Sequence, residues 1–361
     1  MKVSFPYMGP VILYKKVLEK FGHEVVMPLT PNKETFDLGV KNSPEYACFP
    51  FKVMLGTYIQ TCQKGVDIIA TTGGMGPCRA GYFGEIHKRI LWDMGYDVDF
   101  IIFDTLSRGK IELLKKLLFL KNKKSIFKAI PIAIFCYKLL KALDHFERLV
   151  TKIRPYEVNK GESDAVWETI KKDLTACESS KELKDAYDKS VEKMNKVKTY
   201  DVPKSDRVKI GVVGEIYVVL EPSVNAGIEK KLNALGCETQ RSIYLLDWVN
   251  YNLFRFKKEN EKEKEVIQKG AKYIKTRIGG HAQETVGSIV EFYEHNYDGI
   301  IHLMPFSCLP ELVSQSVIST LSEKMPIMTL SLDEQTGEAN NQTRIEAFVD
   351  LLKRKKRRET G

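Results

Sequence analysis

Several common signals are missing from this sequence of 361 residues. It contains no CxxC pair, which argues against zinc-ribbon and thioredoxin-like sites. It has neither the Walker A phosphate loop nor the GxGxxG fingerprint of dinucleotide-binding folds. The longest apolar run, residues 129–137, is far too short to span a membrane. No secretory signal precedes the first predicted strand, so we expect a reducing cytoplasm, with no disulfide framework among the seven cysteines.

The chain carries a net charge of +9, and the positive charge is unevenly placed. Much of it lies in residues 353–358 and in the lysines between Lys110 and Lys128. We interpret these as solvated surface and a frayed end. Nucleic-acid binding is not expected, because no aromatic stacking platform or recognition module accompanies the charge. Attraction to an anionic ligand or to an acidic protein partner stays open.

The hydrophobic patterning predicts an α/β protein of more than one domain, since 361 residues exceed one ordinary core. Residues 1–108 alternate apolar strands with helical stretches, as in a doubly wound parallel sheet. Residues 109–205 are rich in Lys, Glu and Leu and predict a helical insertion of three to five helices. Residues 206–330 return to the α/β pattern, and residues 331–361 predict a C-terminal helix with a basic tail.

The two α/β regions resemble a degenerate internal repeat. A strand beginning near Asp67 leads to Cys78, and a strand beginning near Asp298 leads to Cys308, separations of 11 and 10 residues. Ligands of open α/β sheets collect at the carboxyl edge of the strands. If the halves face each other there, we expect Cys78, Cys308 and Cys48 to converge.

These three cysteines share one setting, a loop with proline nearby just ahead of a predicted helix. Free amides and the helix dipole at such a point favour thiolate over thiol. We therefore predict a thiolate-ligated metal centre, with an iron–sulfur cluster as the best fit. The alternative is three unrelated buried cysteines that act as small hydrophobes. The remaining four cysteines are interpreted as structural, with Cys62 as a reserve ligand.

The neighbourhood of the cysteines supplies candidate cofactor-binding residues. Gly74 and Gly76 could cradle a phosphate, but a tight bend that lets the cluster approach is the favoured interpretation. Lys52 and Arg79 could offset the negative charge of the cluster or bind an anionic ligand. Ordinary surface charge is the alternative for both side chains.

Three residues on loops at the same predicted sheet edge are candidate proton donors, bases or extra iron ligands: Glu215, His281 and Glu284. Each could equally be a helix cap or a surface group. His302 ends the strand before Cys308, and a core or supporting role is favoured over ligation for it.

Five segments resemble the CoA-substrate-specific activase-related proteins, which are similar to the D-component subunits of 2-hydroxyacyl-CoA dehydratases, to benzoyl-CoA reductases and to double-cubane cluster proteins. The segments are residues 48–52, 76–83, 214–222, 279–287 and 304–311. The resemblance extends over nearly the whole chain, including residues 333–339 and 343–348.

This resemblance implies two Rossmann-like domains with a [4Fe–4S] cluster between them, either single or bridged as a double cubane. The implied ligands are Cys48, Cys78 and Cys308. It also implies low-potential electrons from a separate ATP-hydrolysing activase that carries its own cluster, and a homodimer or heterodimer is open. The chain itself lacks the phosphate loops of that activase, so we do not interpret it as the ATPase.

We therefore expect a cytoplasmic, anaerobic iron–sulfur protein that accepts electrons from the activase and reduces an acyl-CoA or another small substrate. Two alternatives stay open. The chain could be a non-catalytic electron carrier, scaffold or accessory subunit that bears the cluster. It could also be a cluster-free binding protein whose two lobes close on a ligand.

Overall fold

Two four-stranded parallel sheets form the framework of the protein in the computed structural model, which describes residues 1–73, 78–103, 126–254, 257–276, 278–335 and 338–360. The first sheet has the order β2-β1-β3-β4 and consists of β1 (Lys2–Ser4), β2 (Glu24–Val25), β3 (Ile68–Thr72) and β4 (Asp99–Phe103). The second has the order β6-β5-β7-β8 and consists of β5 (Val208–Gly214), β6 (Cys237–Arg241), β7 (Gly299–Pro305) and β8 (Ile327–Leu332). All pairings are parallel. The predicted α/β fold with a repeat is confirmed.

The helices of the first half cover its sheet: α1 (Val11–Lys20), α2 (Lys33–Asn42), α3 (Phe49–Cys62) and α4 (Phe83–Asp93). The hydrophobic patterning of the sequence predicts helices over residues 11–21, 51–63 and 82–92, close to α1, α3 and α4, and none at α2. A capping box begins α2, since the Asn32 side chain accepts from the Thr35 amide and the Thr35 hydroxyl accepts from the Asn32 amide. Such reciprocal bonds satisfy amides that a helix start leaves free.

Three helices occupy the described part of the predicted insertion: α5 (Ile126–Ile153), α6 (Glu162–Ala176) and α7 (Ser180–Asn195). They share an apolar core in which Phe146, Ile170 and Leu174 are fully buried. The helical character of this segment was predicted. The domain boundaries at residues 108, 205 and 330 stay predictions.

The helices of the second half are α8 (Ile216–Leu220), α9 (Ile228–Ala234), α10 (Leu245–Val249), α11 (Lys257–Ala271), α12 (Ala282–Glu294), α13 (Leu309–Leu321) and α14 (Glu338–Thr360). The frayed-end interpretation of residues 353–358 is wrong, because α14 continues through them. Lys353 Nζ donates to the Leu235 carbonyl at 2.7 Å, and Lys356 pairs with Asp298 at 2.7 Å. These contacts hold the basic turn against the second half.

The two halves repeat one close helix contact. A methyl group built on Gly39 of α2 would lie 1.9 Å from the Lys52 carbonyl oxygen of α3, and one built on Gly56 of α3 would lie 1.9 Å from the Thr35 oxygen. In the second half, Gly270 and Gly287 meet the oxygens of Gln283 and Val266 at the same 1.9 Å. Only glycine permits such backbone approach. Each residue and its counterpart are 231 positions apart.

An aspartate repeats at the same interval at the start of the central strands. Asp67 exchanges two hydrogen bonds with the backbone of Lys2, at 2.7 and 2.9 Å. Asp298 makes the same pair with the backbone of Lys209, at 2.8 and 2.9 Å. The register from residues 35–67 to residues 266–298 is therefore continuous, without insertion or deletion.

The two sheets share one hydrophobic core. All fourteen residues of α3 are buried, which explains why its sequence shows little amphipathic pattern. A continuous cluster of buried apolar side chains runs from α3 and β3 to β5, α8 and β7 of the second half. The seam between the halves is therefore packed, with α3 at its centre.

Among the helices of the described ranges, none is both long and apolar enough to cross a membrane.

Candidate functional site

The loops of Cys48 and Cys308 meet at the seam between the halves. Cys48 is the N-cap residue of α3 and Cys308 is the N-cap residue of α13, and each helix has proline in its first turn. The Phe49 amide donates to the Phe306 carbonyl at 3.2 Å, which joins the two loops directly. Ser307 turns the second loop with a φ of 63°. The expected convergence of these two loops is therefore seen in the backbone itself.

Arg79, which follows Cys78, connects the third loop to the other two. Its guanidinium donates to the carbonyl oxygens of Tyr46 and Ser307, and to the Ser307 hydroxyl at 3.2 Å. The Ser307 hydroxyl in turn donates to the Tyr46 carbonyl at 3.1 Å. Arg79 was expected to offset cluster charge or bind an anion. Both roles stay predictions: its positive charge opposes part of the effect of burial on the pKa of Cys48 and Cys78, and its hydrogen bonds also make it a clamp across the three cysteine loops.

A glycine turn of the second half closes on Cys78 from the opposite side. A methyl group built on Gly280 would lie 3.6 Å from the Cys78 sulfur and 2.5 Å from Cγ of Pro310. Gly279 and Gly280 both have positive φ, 75° and 61°. A side chain at Gly280 would strike the proline, so backbone alone faces the thiol there.

At all three thiols, burial raises the pKa by more than the amides of the helix start lower it. Each sulfur accepts a hydrogen bond from an amide of the turn that follows it, those of Phe51, Ala80 and Glu311. Desolvation nevertheless raises the pKa of Cys48 to about 12 and raises the pKa of Cys78 and of Cys308. The expectation that the helix starts favour thiolate is wrong for the free chain, since it left desolvation out.

The three thiols lie in one electrostatic neighbourhood. Cys78 raises the pKa of Cys48, and Cys48 raises the pKa of Cys308. The carboxylate of Glu215 raises the pKa of all three cysteines. Within the described ranges, however, no three His, Cys, Asp or Glu side chains are spaced to hold a metal ion. The loops adjoin, and closing them around a metal needs side-chain adjustment.

Glu215 begins α8 at the carboxyl end of β5. Its Oε2 accepts from the amides of Tyr217 and Val218, at 3.0 and 3.2 Å. Desolvation and the nearby Glu311 carboxylate raise its pKa to about 7, despite those two hydrogen bonds. A carboxyl group with this pKa exchanges protons near neutrality, which suits the predicted proton-transfer role.

A buried polar network behind Cys308 was only partly anticipated. Glu311 is fully buried, with its Oε2 2.9 Å from Nε2 of His302 and its Oε1 accepting from the Thr285 hydroxyl at 3.1 Å. His302 Nδ1 lies 3.2 Å from the Thr329 hydroxyl. The supporting role favoured for His302 fits this geometry. Glu311 was missed, and its place in the first turn of α13 was the available signal.

The structure shows the surroundings of three other predicted residues. Lys52 forms a partly buried ion pair with Glu334 at 3.1 Å, which engages its charge in the metal-free chain. Glu284 raises the pKa of Glu263, which places its carboxylate near α11. His281 is the half-buried N-cap residue of α12 and follows the glycine turn.

The cofactor-binding role of two glycines stays a prediction, and one reserve ligand lies too far away. Gly74 and Gly76 lie outside the described residues. Cys62 ends α3, about 20 Å along the helix from Cys48, so it is too distant to be a reserve ligand.

Comparison with known proteins gives one partial match. Residues 3–71 match the family model described as CoA enzyme activase uncharacterised domain (DUF2229). The matched region runs from β1 to β3 and includes Cys48. No curated protein matches the chain. The comparison therefore supports a relationship to the CoA-activase-related family through the first half.

Proposed function

We propose that the chain is an iron–sulfur protein that holds a [4Fe–4S] cluster through Cys48, Cys78 and Cys308. The observation that carries this proposal is the joining of the three cysteine loops across the seam by the Phe49–Phe306 hydrogen bond and the Arg79 clamp. Three loops from both halves of a repeat meet at one point, and each presents a thiol over a helix start.

The chemistry of the three residues fits such a group, once their side chains adjust to bring the sulfurs together. Thiolates are the ligands that iron–sulfur clusters require, and three of them leave one iron open. The Gly280 turn approaches Cys78 without a side chain, so the second half also contributes backbone beside that sulfur. The cluster binds thiolates, so the three thiols must lose their protons when it binds. Because the pKa values of these thiols are raised, cluster binding should release protons and be favoured at higher pH.

When bound, the cluster would supply one-electron chemistry at low potential, which no side chain provides. We propose that a separate ATP-hydrolysing activase delivers the electron, and that the substrate is an acyl-CoA or another small reducible molecule. The family-model match supports this choice of partner and substrate class. In the protein, Glu215 would hold or release a proton beside the thiols, because its pKa lies near 7.

Metal content tests the cluster directly. We expect anaerobically purified protein to contain about four irons and four sulfides per chain, and more iron if the cluster is bridged. Cys48→Ala, Cys78→Ala and Cys308→Ala should each lower iron content strongly. Cys62→Ala and Cys237→Ala are matched controls and should leave iron unchanged, since both thiols are buried but Cys62 lies about 20 Å along α3 from Cys48 and Cys237 begins β6.

Turnover tests the reaction. Purified activase, ATP and a strong reductant would be supplied with a panel of acyl-CoAs and small reducible molecules. We expect substrate loss that depends on ATP and on all three cysteines. Activity that survives in the three seam variants would contradict a reaction that uses the cluster, whereas a loaded protein inert with every substrate would indicate an electron carrier or accessory subunit.

A cluster-free binding protein is the second candidate, and two observations favour it. The three thiols are protonated at neutral pH in the free chain, and the described side chains include no group spaced for a metal. Protein that folds and remains free of iron after anaerobic reconstitution with iron and sulfide would support this candidate over the cluster.

A further inference from the structure

Two buried hydroxyl groups between the halves have no hydrogen-bond partner among the described residues. They belong to Ser4, the last residue of β1, which is fully buried, and to Tyr217 of α8, which is 2% exposed. A buried hydroxyl without a partner has lost its hydrogen bonds to water and gained none in return. Native proteins usually satisfy such groups, often with an ordered water molecule. The two hydroxyls therefore point to a partner beyond the described side chains.

Ser4 lies at the switch point of the first sheet. In the order β2-β1-β3-β4, the chain leaves β1 toward one side and β3 toward the other, so a crevice opens between the carboxyl ends of these strands. Ser4 pairs with Ile69 of β3, so both side chains point to the same face of the sheet. Ile69 belongs to the core cluster that contains α3. On this face, Tyr58 of α3 donates to the Thr71 hydroxyl at 3.0 Å.

Tyr217 approaches the same region from the second half. Its ring belongs to the same core cluster as Tyr58. Burial raises the pKa of Tyr217, so its hydroxyl stays protonated at neutral pH and can donate a hydrogen bond. Four polar side chains add to this shift and therefore lie nearby: Glu221, Tyr58, Glu215 and Tyr7. The Tyr217 hydroxyl thus has polar groups of both halves around it.

Tyr7 connects this region to the surface of the protein. It is half-buried, and its hydroxyl accepts from the exposed Thr30 hydroxyl at 3.0 Å. The Gly9 amide donates to Oε2 of Glu221 at 3.1 Å, which holds the loop of Tyr7 against the end of α8. Polar side chains therefore extend from Thr30 at the surface to Glu215 at the seam.

We propose that Ser4 and Tyr217 bind ordered water between the halves, and that this water carries protons from the surface at Tyr7 to Glu215. Hydroxyl groups both donate and accept hydrogen bonds, so each can take a proton from one neighbour as it gives its own to the next. Tyr217 is neutral before and after each transfer. The use of the proton rests on the proposed function, in which Glu215 exchanges protons beside the thiols, whereas the water site is independent of it.

Equilibrium unfolding of the metal-free protein in urea tests the water site. Tyr217→Phe and Ser4→Ala should each lower the urea midpoint, because each variant gives up a hydrogen bond to water. Tyr58→Phe, which loses the bond to Thr71, shows the loss that a partnered hydroxyl gives. A Tyr217→Phe protein as stable as the wild type, or more stable, would overturn the site, since deletion of an unpartnered buried hydroxyl removes only its desolvation cost.

A high-resolution crystal structure of the metal-free chain identifies the partner directly. We expect ordered water oxygens within hydrogen-bond distance of Tyr217 Oη and Ser4 Oγ. Hydroxyls that bond only to protein groups would overturn the proposal, whatever the stability of the variants. This measurement also decides the site if Tyr217→Phe fails to fold.

Turnover by the iron-loaded protein tests the proton route. Tyr217→Phe should keep the iron content and KM of the wild type but turn over at least about tenfold more slowly, with a larger solvent deuterium isotope effect. The control is Tyr244→Phe, which changes another buried tyrosine whose hydroxyl accepts from the Arg241 amide at 3.3 Å, and it should match the wild type.

An unchanged rate and isotope effect in Tyr217→Phe would overturn the route. A wild-type chain that takes up no iron, or that turns over no substrate, defeats the proposed function instead. The unfolding measurement and the crystal structure then decide the water site alone.

Discussion

Replacement of Gly56 by alanine should destabilise the protein because α2 and α3 touch through their backbones. The new methyl carbon would lie 1.9 Å from the Thr35 oxygen, 2.9 Å from its carbonyl carbon and 3.1 Å from the Gly39 nitrogen. The obstacle is backbone, so no side-chain rotation relieves it. The helices must separate by about 1.3 Å to restore an ordinary carbon–oxygen contact.

The size of the effect follows from two opposing contributions. Overpacking of a well-packed core costs about 1–3 kcal/mol, and burial of all of α3 places this site at the upper end. Alanine recovers about 1 kcal/mol of helix propensity over glycine. We therefore expect the free energy of unfolding to fall by about 1–2 kcal/mol.

Equilibrium unfolding in urea measures this loss. Gly287→Ala should lose a similar amount, because its methyl group would meet the Val266 oxygen at the same 1.9 Å. Gly84→Ala is the matched control, since its methyl group would meet the movable side chain of Ile102 and should cost less. A Gly56→Ala protein as stable as the wild type would refute the close contact and, with it, the register of the repeat.

Three further predictions concern charge at the seam and beside it. Burial lowers the pKa of His87 to about 3 from 6.5, so the unfolded chain takes up this proton at a higher pH than the folded chain. The free energy of unfolding should therefore fall as pH drops below about 6.5, by up to about 1.4 kcal/mol per pH unit. A His87→Gln variant with the same pH dependence of unfolding as the wild type would contradict this. The pKa of Glu215 is raised to about 7 from 4.5, so in metal-free protein the free energy of unfolding should fall as pH rises between these values. Glu215→Gln should remove this pH dependence. The prediction fails if wild type and variant differ in free energy of unfolding by the same amount at pH 4 and at pH 7. Arg79→Met removes the clamp and should speed iron loss to a chelator, with little change in the free energy of unfolding. The control is Arg89→Met, which changes an exposed arginine on α4 and should leave the rate of iron loss unchanged. Equal rates of iron loss in the two variants would show that the clamp is unimportant.

The parts of the fold that the sequence predicted are those with a local cause. The apolar runs of β3, β5 and β7 identify buried parallel strands, and proline beside cysteine identifies three helix starts. Helix α8 was not predicted, because five apolar residues do not distinguish a helix from a strand. Helices α2 and α11 were not predicted; each packs closely against a partner helix through a glycine contact, which no local pattern reveals.

In the candidate site, too, features with a local cause could be predicted and features that depend on the folded surroundings could not. The identity of the three cysteines and their convergence at a sheet edge followed from spacing and from the edge rule for α/β sheets. The protonation of the thiols could not be predicted, because it depends on how much protein surrounds each sulfur after folding. The Lys52–Glu334 ion pair joins residues 282 positions apart, and no spacing rule connects them.

Comparison of the halves indicates where the function lies. The residues that shape the framework recur at a constant interval, namely the four glycines of the helix contacts and the two aspartates that hold the central strands. The residues that face the seam do not recur, since Gly279 stands opposite Cys48 in the register and Pro50 opposite His281. The two halves therefore meet asymmetrically at the seam, where the cysteine loops of both halves adjoin and the glycine turn lies beside Cys78.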